Sequence, residues 1–195
     1  MLTIDRTSHC CRLGWDNWRL EFDWRDDRWA HSLWQDLQGI RLPIIRSVEG
    51  TTEQIWPGSP AFQDLHLERI NPDCGEIQLL GQAGKNHYSG AIRCDGARNV
   101  IDFDLAVRIQ SPAAAPLTVS TYLHSNANTK ERSAQPTWNV IPEPISGCPE
   151  LSSGFDAPDS ESNVLQRLTF QDLNLLKFER QRATIRWKYQ LVLNP

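Results

Sequence analysis

The stretch NVIDFDLAVRIQ, residues 99–110, decides how the rest of the chain is read. Ile101, Phe103, Leu105, Val107 and Ile109 occupy one parity, and Asp102, Asp104 and Arg108 the other. That two-residue period belongs to a strand with one buried face, because successive side chains of an extended chain point to opposite sides. Asp95 and Gly96, just upstream, supply hairpin chemistry, since both tolerate a positive φ.

Working outward, the same rhythm recurs. Glu76 to Gln82 and Asn86 to Cys94 read as the two strands before this one, and Ile40 to Val48 and Gln63 to Ile70 as earlier ones. The stiff connection Trp56-Pro57-Gly58-Ser59-Pro60 separates that earlier pair. In Trp18 to Trp24 the apolar parity carries Trp18, Leu20, Phe22 and Trp24. Arg25, Asp26 and Asp27 then form a turn into Arg28 to Trp34, although Ala30, Leu33, Trp34 and Leu37 would also suit a short helix. Leu117 to His124, Thr137 to Ile141, Leu165 to Gln171 and Thr184 to Leu193 complete the strands, and Leu173 to Phe178 is open between strand and helical turn.

About ten strands, spaced roughly 8 to 12 residues apart with no long amphipathic helix and no internal repeat, predict an all-β fold. The expected architecture is an antiparallel β-sandwich, jelly-roll-like, or a barrel, formed as a single domain over residues 1–195. Pro142 to Asn163 lacks periodicity and carries Glu143, Glu150, Asp156, Asp159 and Glu161 with no Lys or Arg, so a flexible acidic loop is expected at about 142–163. The apolar faces of the tryptophan-rich hairpin and the last strand suggest that the two termini share a sheet.

The 195 residues carry 20 Lys and Arg against 24 Asp and Glu, a formal charge of −4, with no basic block. A nucleic-acid partner is not expected, because the phosphate backbone requires a concentrated cationic face. Met1 to Cys10 holds no apolar leader and no later stretch could span a bilayer, so the expectation is a soluble cytoplasmic protein without a membrane partner. Five cysteines, odd in number and irregularly spaced, suit reduced thiols. No cofactor is expected, and oligomeric state is not encoded legibly.

Eight Trp is a heavy load, and Trp15, Trp18, Trp24, Trp29 and Trp34 fall within twenty residues. Rings on a β-surface can stack on the CH face of a sugar, so a small polar ligand, carbohydrate first, is one functional expectation. Trp18, Phe22, Trp24 and Trp29 sit on apolar parity and read as core. Trp15, Trp34 and Trp56 lie in turns or beside Pro and Gly, and so are the better ligand candidates. Lys85, Asn86, His87 and Tyr88 place a cation, an amide, an imidazole and a phenol at a strand start, a polar clamp if they converge.

An alternative is a metal-dependent or acid/base enzyme. His66 and Glu68 share a strand face, and His87 and His124 on other strands could join them around a divalent ion. This set bears a loose similarity to cupin-type metal sites, without their His-x-His pair. Glu21, Asp23 and Asp26 are spaced E-x-D-x-x-D, which resembles the E-x-D-x-x-E catalytic strand of laminarinase-type glycoside hydrolases. That resemblance covers six residues, departs in its last acid, and implies paired carboxylates flanking a glycosidic bond. Asp102 and Asp104, with Arg108 nearby, read as a charge-compensated surface. Neither a G-x-S-x-G elbow nor a phosphate loop is present, and Cys10 and Cys11 beside His9 point different ways on an extended chain. A third alternative is a structural or protein-interaction domain.

Overall fold

A computed structural model describes residues 1–111, 117–125, 137–141, 150–155, 163–170 and 183–194. These residues contain β1 (Thr3–Arg6), β2 (Cys10–Trp15), β3 (Trp18–Arg25), β4 (Arg28–Leu37), β5 (Ile40–Ser47), β6 (Asp64–Asn71) and β7 (Cys74–Ala83). They continue with β8 (Asn86–Asp95), β9 (Val100–Ile109), β10 (Leu117–Ser125), β11 (Thr137–Ile141), β12 (Glu150–Phe155), β13 (Asn163–Phe170) and β14 (Ala183–Val192). One sheet has eight strands in the order β1-β2-β3-β4-β5-β10-β13-β12, and the other six in the order β11-β14-β9-β8-β7-β6. Neither closes into a barrel, so the arrangement is that of an antiparallel β-sandwich. Among the described residues no helix is long and apolar enough to cross a membrane.

Several sequence expectations need correction. β1 and β2 were not foreseen, although Cys10–Trp15 alternates faithfully between half-buried and buried positions. Inside the expected acidic loop, Glu150–Phe155 pairs along its length with β13 as strand β12. The flanking residues 142–149 and 156–162, the segment 173–178 and the loop 126–136 lie outside the described residues. The termini do not share a sheet: β1 to β4 build the eight-stranded sheet, whereas β14 lies beside β9 in the six-stranded one. Arg28–Leu37 is a strand throughout, in unbroken register with β3, and its helical look arises from burial at every position from Arg28 to Leu33, which hides the two-residue period. The register shift opposite Leu33 and Trp34 falls on β5, where Ile44 is the extra residue.

Short hairpins make this meander possible. At Gly84, φ is +58°, and a first central residue of that hand matches the twist of β7 and β8. In the β8–β9 turn the left-handed residue is Asn99 (φ +52°), not Gly96, while an Asp95 carboxylate oxygen accepts the Arg98 N–H at 3.0 Å. On one side of the sandwich the chain start stitches the sheets together. Leu2 N–H donates to Pro72 O at 2.8 Å, and the Arg6 and Arg69 guanidiniums donate to Leu65 O and Leu2 O. Those contacts occupy part of edge strand β6 that would otherwise offer free backbone groups.

Both sheets face one continuous core. Leu13, Leu20, Phe22, Leu33 and Tyr122 from one meet Ile77, Ile92, Phe103, Val107, Trp187 and Tyr189 from the other, all buried. At about 1.5–3 kcal/mol per fully buried large side chain, this layer is the main stabilising contribution. It also fixes which parity faces out. On β6, β7, β8, β9 and β14 the polar parity forms an outer face, and that face carries the site described next.

Candidate functional site on the outer face of the six-stranded sheet

Cross-strand register turns alternating sequence into rows. Asp64, Leu80, Ser89, Ala106 and Arg186 stand opposite one another on β6, β7, β8, β9 and β14. The next row is His66, Gln78, Ala91, Asp104 and Lys188. Because the middle of both rows is small (Ser89, Ala91, Ala106), the sheet surface dips there. The result is a groove of about 620 Å³ on the outer face.

Its walls are planar and polar. Asp64, His66, Glu76 and Gln78 line the β6–β7 side, Asp104 and Arg186 the β9–β14 side, and Leu80, 58% exposed, gives an apolar patch. Arg186 holds Asp104 with two parallel hydrogen bonds, Nε to Oδ1 at 2.7 Å and Nη2 to Oδ2, and Lys188 Nζ lies 3.4 Å from Oδ2. Burial raises the Asp104 pKa, yet the Arg186 hydrogen bonds and charge, with Lys188, outweigh it and hold the carboxyl below its ordinary value. The carboxylate is therefore ionised and held by the guanidinium at two points on the surface of the sheet.

This pairing revises one expectation, since Asp104 is compensated by Arg186 and Lys188 of β14 and not by Arg108. Asp102, one row away, accepts from Gln190 Nε2 at 2.6 Å.

The residues expected to form a clamp separate across the sheet. Asn86 is fully buried, its Oδ1 accepting the N–H groups of Gln110 and Ser111 at 2.9 and 3.0 Å and its amide nitrogen donating to Ile55 O at 3.3 Å. Tyr88 is buried too, and burial pushes its hydroxyl pKa up. Lys85 and His87 are exposed, so alternation sends the four side chains to opposite faces.

The tryptophans do not gather either. Trp15, 2% exposed, donates its indole N–H to Asn99 Oδ1 at 3.2 Å, and Trp18 and Trp29 are core, as their parity implied, while Trp24 is half-buried. Trp34, half-buried on the outer face of the other sheet, donates to Ser32 Oγ at 2.8 Å and carries the Arg41 guanidinium 4.6 Å above its ring. Trp56 is half-buried and packs against the core.

The expected metal ligands fare similarly. His66 and Glu68 project together from β6, but Glu68 stands opposite Glu76, and His124 is buried in the other sheet. His87 shares the outer face with His66, yet two strands and four residues of register separate them, on the order of 15 Å. Among the described residues no group of three or more His, Cys, Asp or Glu could hold a metal ion. The E-x-D-x-x-D acids do not pair across a cleft. Glu21, 4% exposed, is bound by Arg12 at 2.9 Å and by Arg41, whereas Asp26 occupies a hairpin turn at φ +54°. Asp23 hydrogen-bonds Cys10, whose thiol is raised to about 11, by burial first and by that carboxylate second.

A second polar cluster lies inside the sandwich. His31 Nε2 is 2.9 Å from the Tyr122 hydroxyl, which also bonds the Tyr189 hydroxyl, so three side chains link the two sheets. Burial lowers the His31 pKa to about 4. Nearby, both Glu49 carboxylate oxygens are shielded and lack a hydrogen bond, although part of the residue is solvent-accessible. The Ser47 hydroxyl, which favours the ionised form of Glu49, is also engaged by the His31 backbone N–H and C=O. Burial pushes Glu49 up to about 7, with Ser47, Arg28 and Arg25 pulling the other way.

No protein-family profile matches the chain. No curated protein is significantly similar to it either.

Sequence reasoning named His66 but missed Asp64, Glu76, Gln78, Ser89, Ala91, Ala106 and Arg186. The available signal was the run of small residues on the polar parity of two neighbouring strands, which acquires meaning only once β8 and β9 are placed in register.

Proposed function

We propose that this protein is a non-catalytic binding module for a hydroxyl-rich, uncharged ligand, a carbohydrate, held in the groove across the six-stranded sheet. The observation that carries the reading is the pairing of a small-residue floor, Ser89, Ala91 and Ala106, with planar polar side chains on both walls. A sugar presents CH groups from its ring and hydroxyls from its rim. Leu80, Ala91 and Ala106 accept the former, and Asp64, Gln78, Asp104 and Arg186 can donate to or accept from the latter. The volume falls within the range of small-molecule sites. The two-point contact between Arg186 and Asp104 limits the ordering that binding requires of these two side chains, which favours affinity from few contacts. Cys10, Cys11, Cys74 and Cys94 are free thiols, which supports action in a reducing compartment such as the cytoplasm.

The test is a glycan array followed by calorimetry with the best binder, on the wild-type chain and on Ala106→Trp. Because Ala106 is on the outer face, the bulky ring fills the groove without entering the core. Binding should weaken at least tenfold in the variant while its thermal midpoint stays within a few degrees. An array without a hit, or a variant that binds as well as wild type, would overturn the proposal.

A further inference from the structure

The groove crosses strands instead of following one, and this constrains what shape of ligand fits it. Its lining comes from five neighbouring strands, β6, β7, β8, β9 and β14, and its outward side chains come from two register rows, with Glu76 of β7 added from the next row. Adjacent strands stand about 4.8 Å apart, so four intervals make a trough about 19 Å long. Two rows on the same face make it only about 7 Å wide, from the roughly 3.4 Å rise per residue. Longer side chains flank it: His87 and Arg108 in the row on one side, Arg93 and Asp102 in the row on the other. At the β6 end the sheet stops, so the trough opens at its edge.

Charge narrows the ligand further. Asp64, Glu76 and Asp104 line the groove against Arg186, and Arg186 is already committed to Asp104. On the β6–β7 side Asp64 has no cation opposite it in its row until Arg186 of β14, whereas Glu76 stands across from Arg93 at the groove's margin. An anionic ligand would meet like charge there, whereas neutral hydroxyls would find acceptors.

We infer that the ligand is an extended, unbranched, neutral glycan chain laid across the strands, with about four consecutive units read along the trough. This rests on the reading of the groove as a carbohydrate site and adds ligand length, shape and charge to it. One ring of an extended hexose chain is about as long as one strand interval. Successive units would therefore meet successive strands, the middle ones over Ser89, Ala91 and Ala106 and the outer ones beside His66 and Arg186.

The experiment titrates the full chain, labelled with nitrogen-15, with neutral oligosaccharides of one to six units and with a uronate tetramer. Affinity should climb at least tenfold from one unit to four and then level off. Amide shifts should centre on Ser89, Ala91 and Ala106, and the uronate tetramer should bind at least tenfold more weakly than the neutral one. A single sugar binding as tightly as the tetramer, or a uronate chain matching the neutral one, would overturn the inference and leave the carbohydrate reading standing. If no neutral chain of any length moves the groove amides, both fall together.

Discussion

The Tyr122 hydroxyl sits between His31 Nε2, 2.9 Å away, and the Tyr189 hydroxyl, and this one oxygen joins the two sheets through their shared core. Phe22 stacks on His31 with ring centres 5.5 Å apart, and Phe103 stacks on Tyr189 at 4.5 Å, so the chain of polar atoms is enclosed by rings. Satisfied, such a network fixes how the sheets align, whereas a broken one leaves buried groups without partners. Tyr122→Phe removes the hydrogen-bond partner of both neighbours, and Tyr189→Phe removes only the terminal link. Urea unfolding should show Tyr122→Phe costing about 2–4 kcal/mol and Tyr189→Phe about 1–2 kcal/mol. Equal losses would mean that the central position of Tyr122 is energetically irrelevant.

Two buried titrating groups pull stability in opposite directions. Glu49 ionises at an ordinary 4.5 when unfolded and at about 7 when folded, so the native state takes up a proton in that window. Its contribution therefore falls by on the order of 3 kcal/mol as pH rises from 4.5 to 7. His31 goes from 6.5 to about 4 on folding, so its penalty appears as pH falls from 6.5 to 4 and has a similar size. Across pH 4.5 to 6.5 the two nearly cancel. Glu49→Gln should expose the histidine slope: relative to wild type, its stability gains steadily between pH 4.5 and 7 and is constant above. Chemical denaturation at half-unit pH steps reads this directly, and a wild-type-minus-variant difference that is flat with pH would contradict it.

The Lys85–Tyr88 stretch separates structural from exposed roles residue by residue. Asn86 caps two backbone N–H groups and reaches Ile55 O, so Asn86→Ala leaves several backbone groups short of a partner and should cost about 2–3 kcal/mol. Lys85→Ala, on an exposed turn, should change stability by less than about 0.5 kcal/mol. Thermal melts of the two variants are sufficient. An Asn86 variant as stable as the Lys85 one would remove the capping role assigned here.

Much of the fold was legible because burial imposes parity, and parity survives in the sequence wherever one face meets a core. Val100–Ile109 and Ala183–Val192 are such strands, and each pairs over its full length. β1 escaped because Thr3–Arg6 is a short, largely exposed edge strand, and β2 because its alternation of Cys11, Leu13 and Trp15 with Arg12 and Gly14 runs over only six residues. β4 was ambiguous because it is buried on both faces from Arg28 to Leu33, which blurs the alternation that marks a half-buried strand. The groove was illegible for a different reason. Asp64, Ser89, Ala106 and Arg186 are spread over more than a hundred residues, and only four successive pairings bring them into one row. His66 and His87 share a face but not a site, a distinction that needs the register and not the parity alone.

Close approach at Gly81 gives the most local prediction. A Cβ there would lie 1.8 Å from Ala61 O and 2.7 Å from the Phe62 Cα, both backbone atoms that cannot rotate away. Gln63 is held against the same strand by its N–H to Leu80 O at 2.9 Å and by Oε1 accepting Gln82 N–H at 2.7 Å, so the 61–63 segment would have to move as a unit. Trp29 donates its backbone N–H to Phe62 O and its indole N–H to Gln63 O, which ties that segment to the other sheet as well. Gly81→Ala should therefore destabilise by more than about 2 kcal/mol, an overpacking penalty that far exceeds the gain in strand propensity. The strain should also release Trp29, giving a red-shifted tryptophan emission below the melting transition. A Gly81→Ala protein with wild-type midpoint and spectrum would show that the 61–63 segment yields freely and that Trp29 does not pin it.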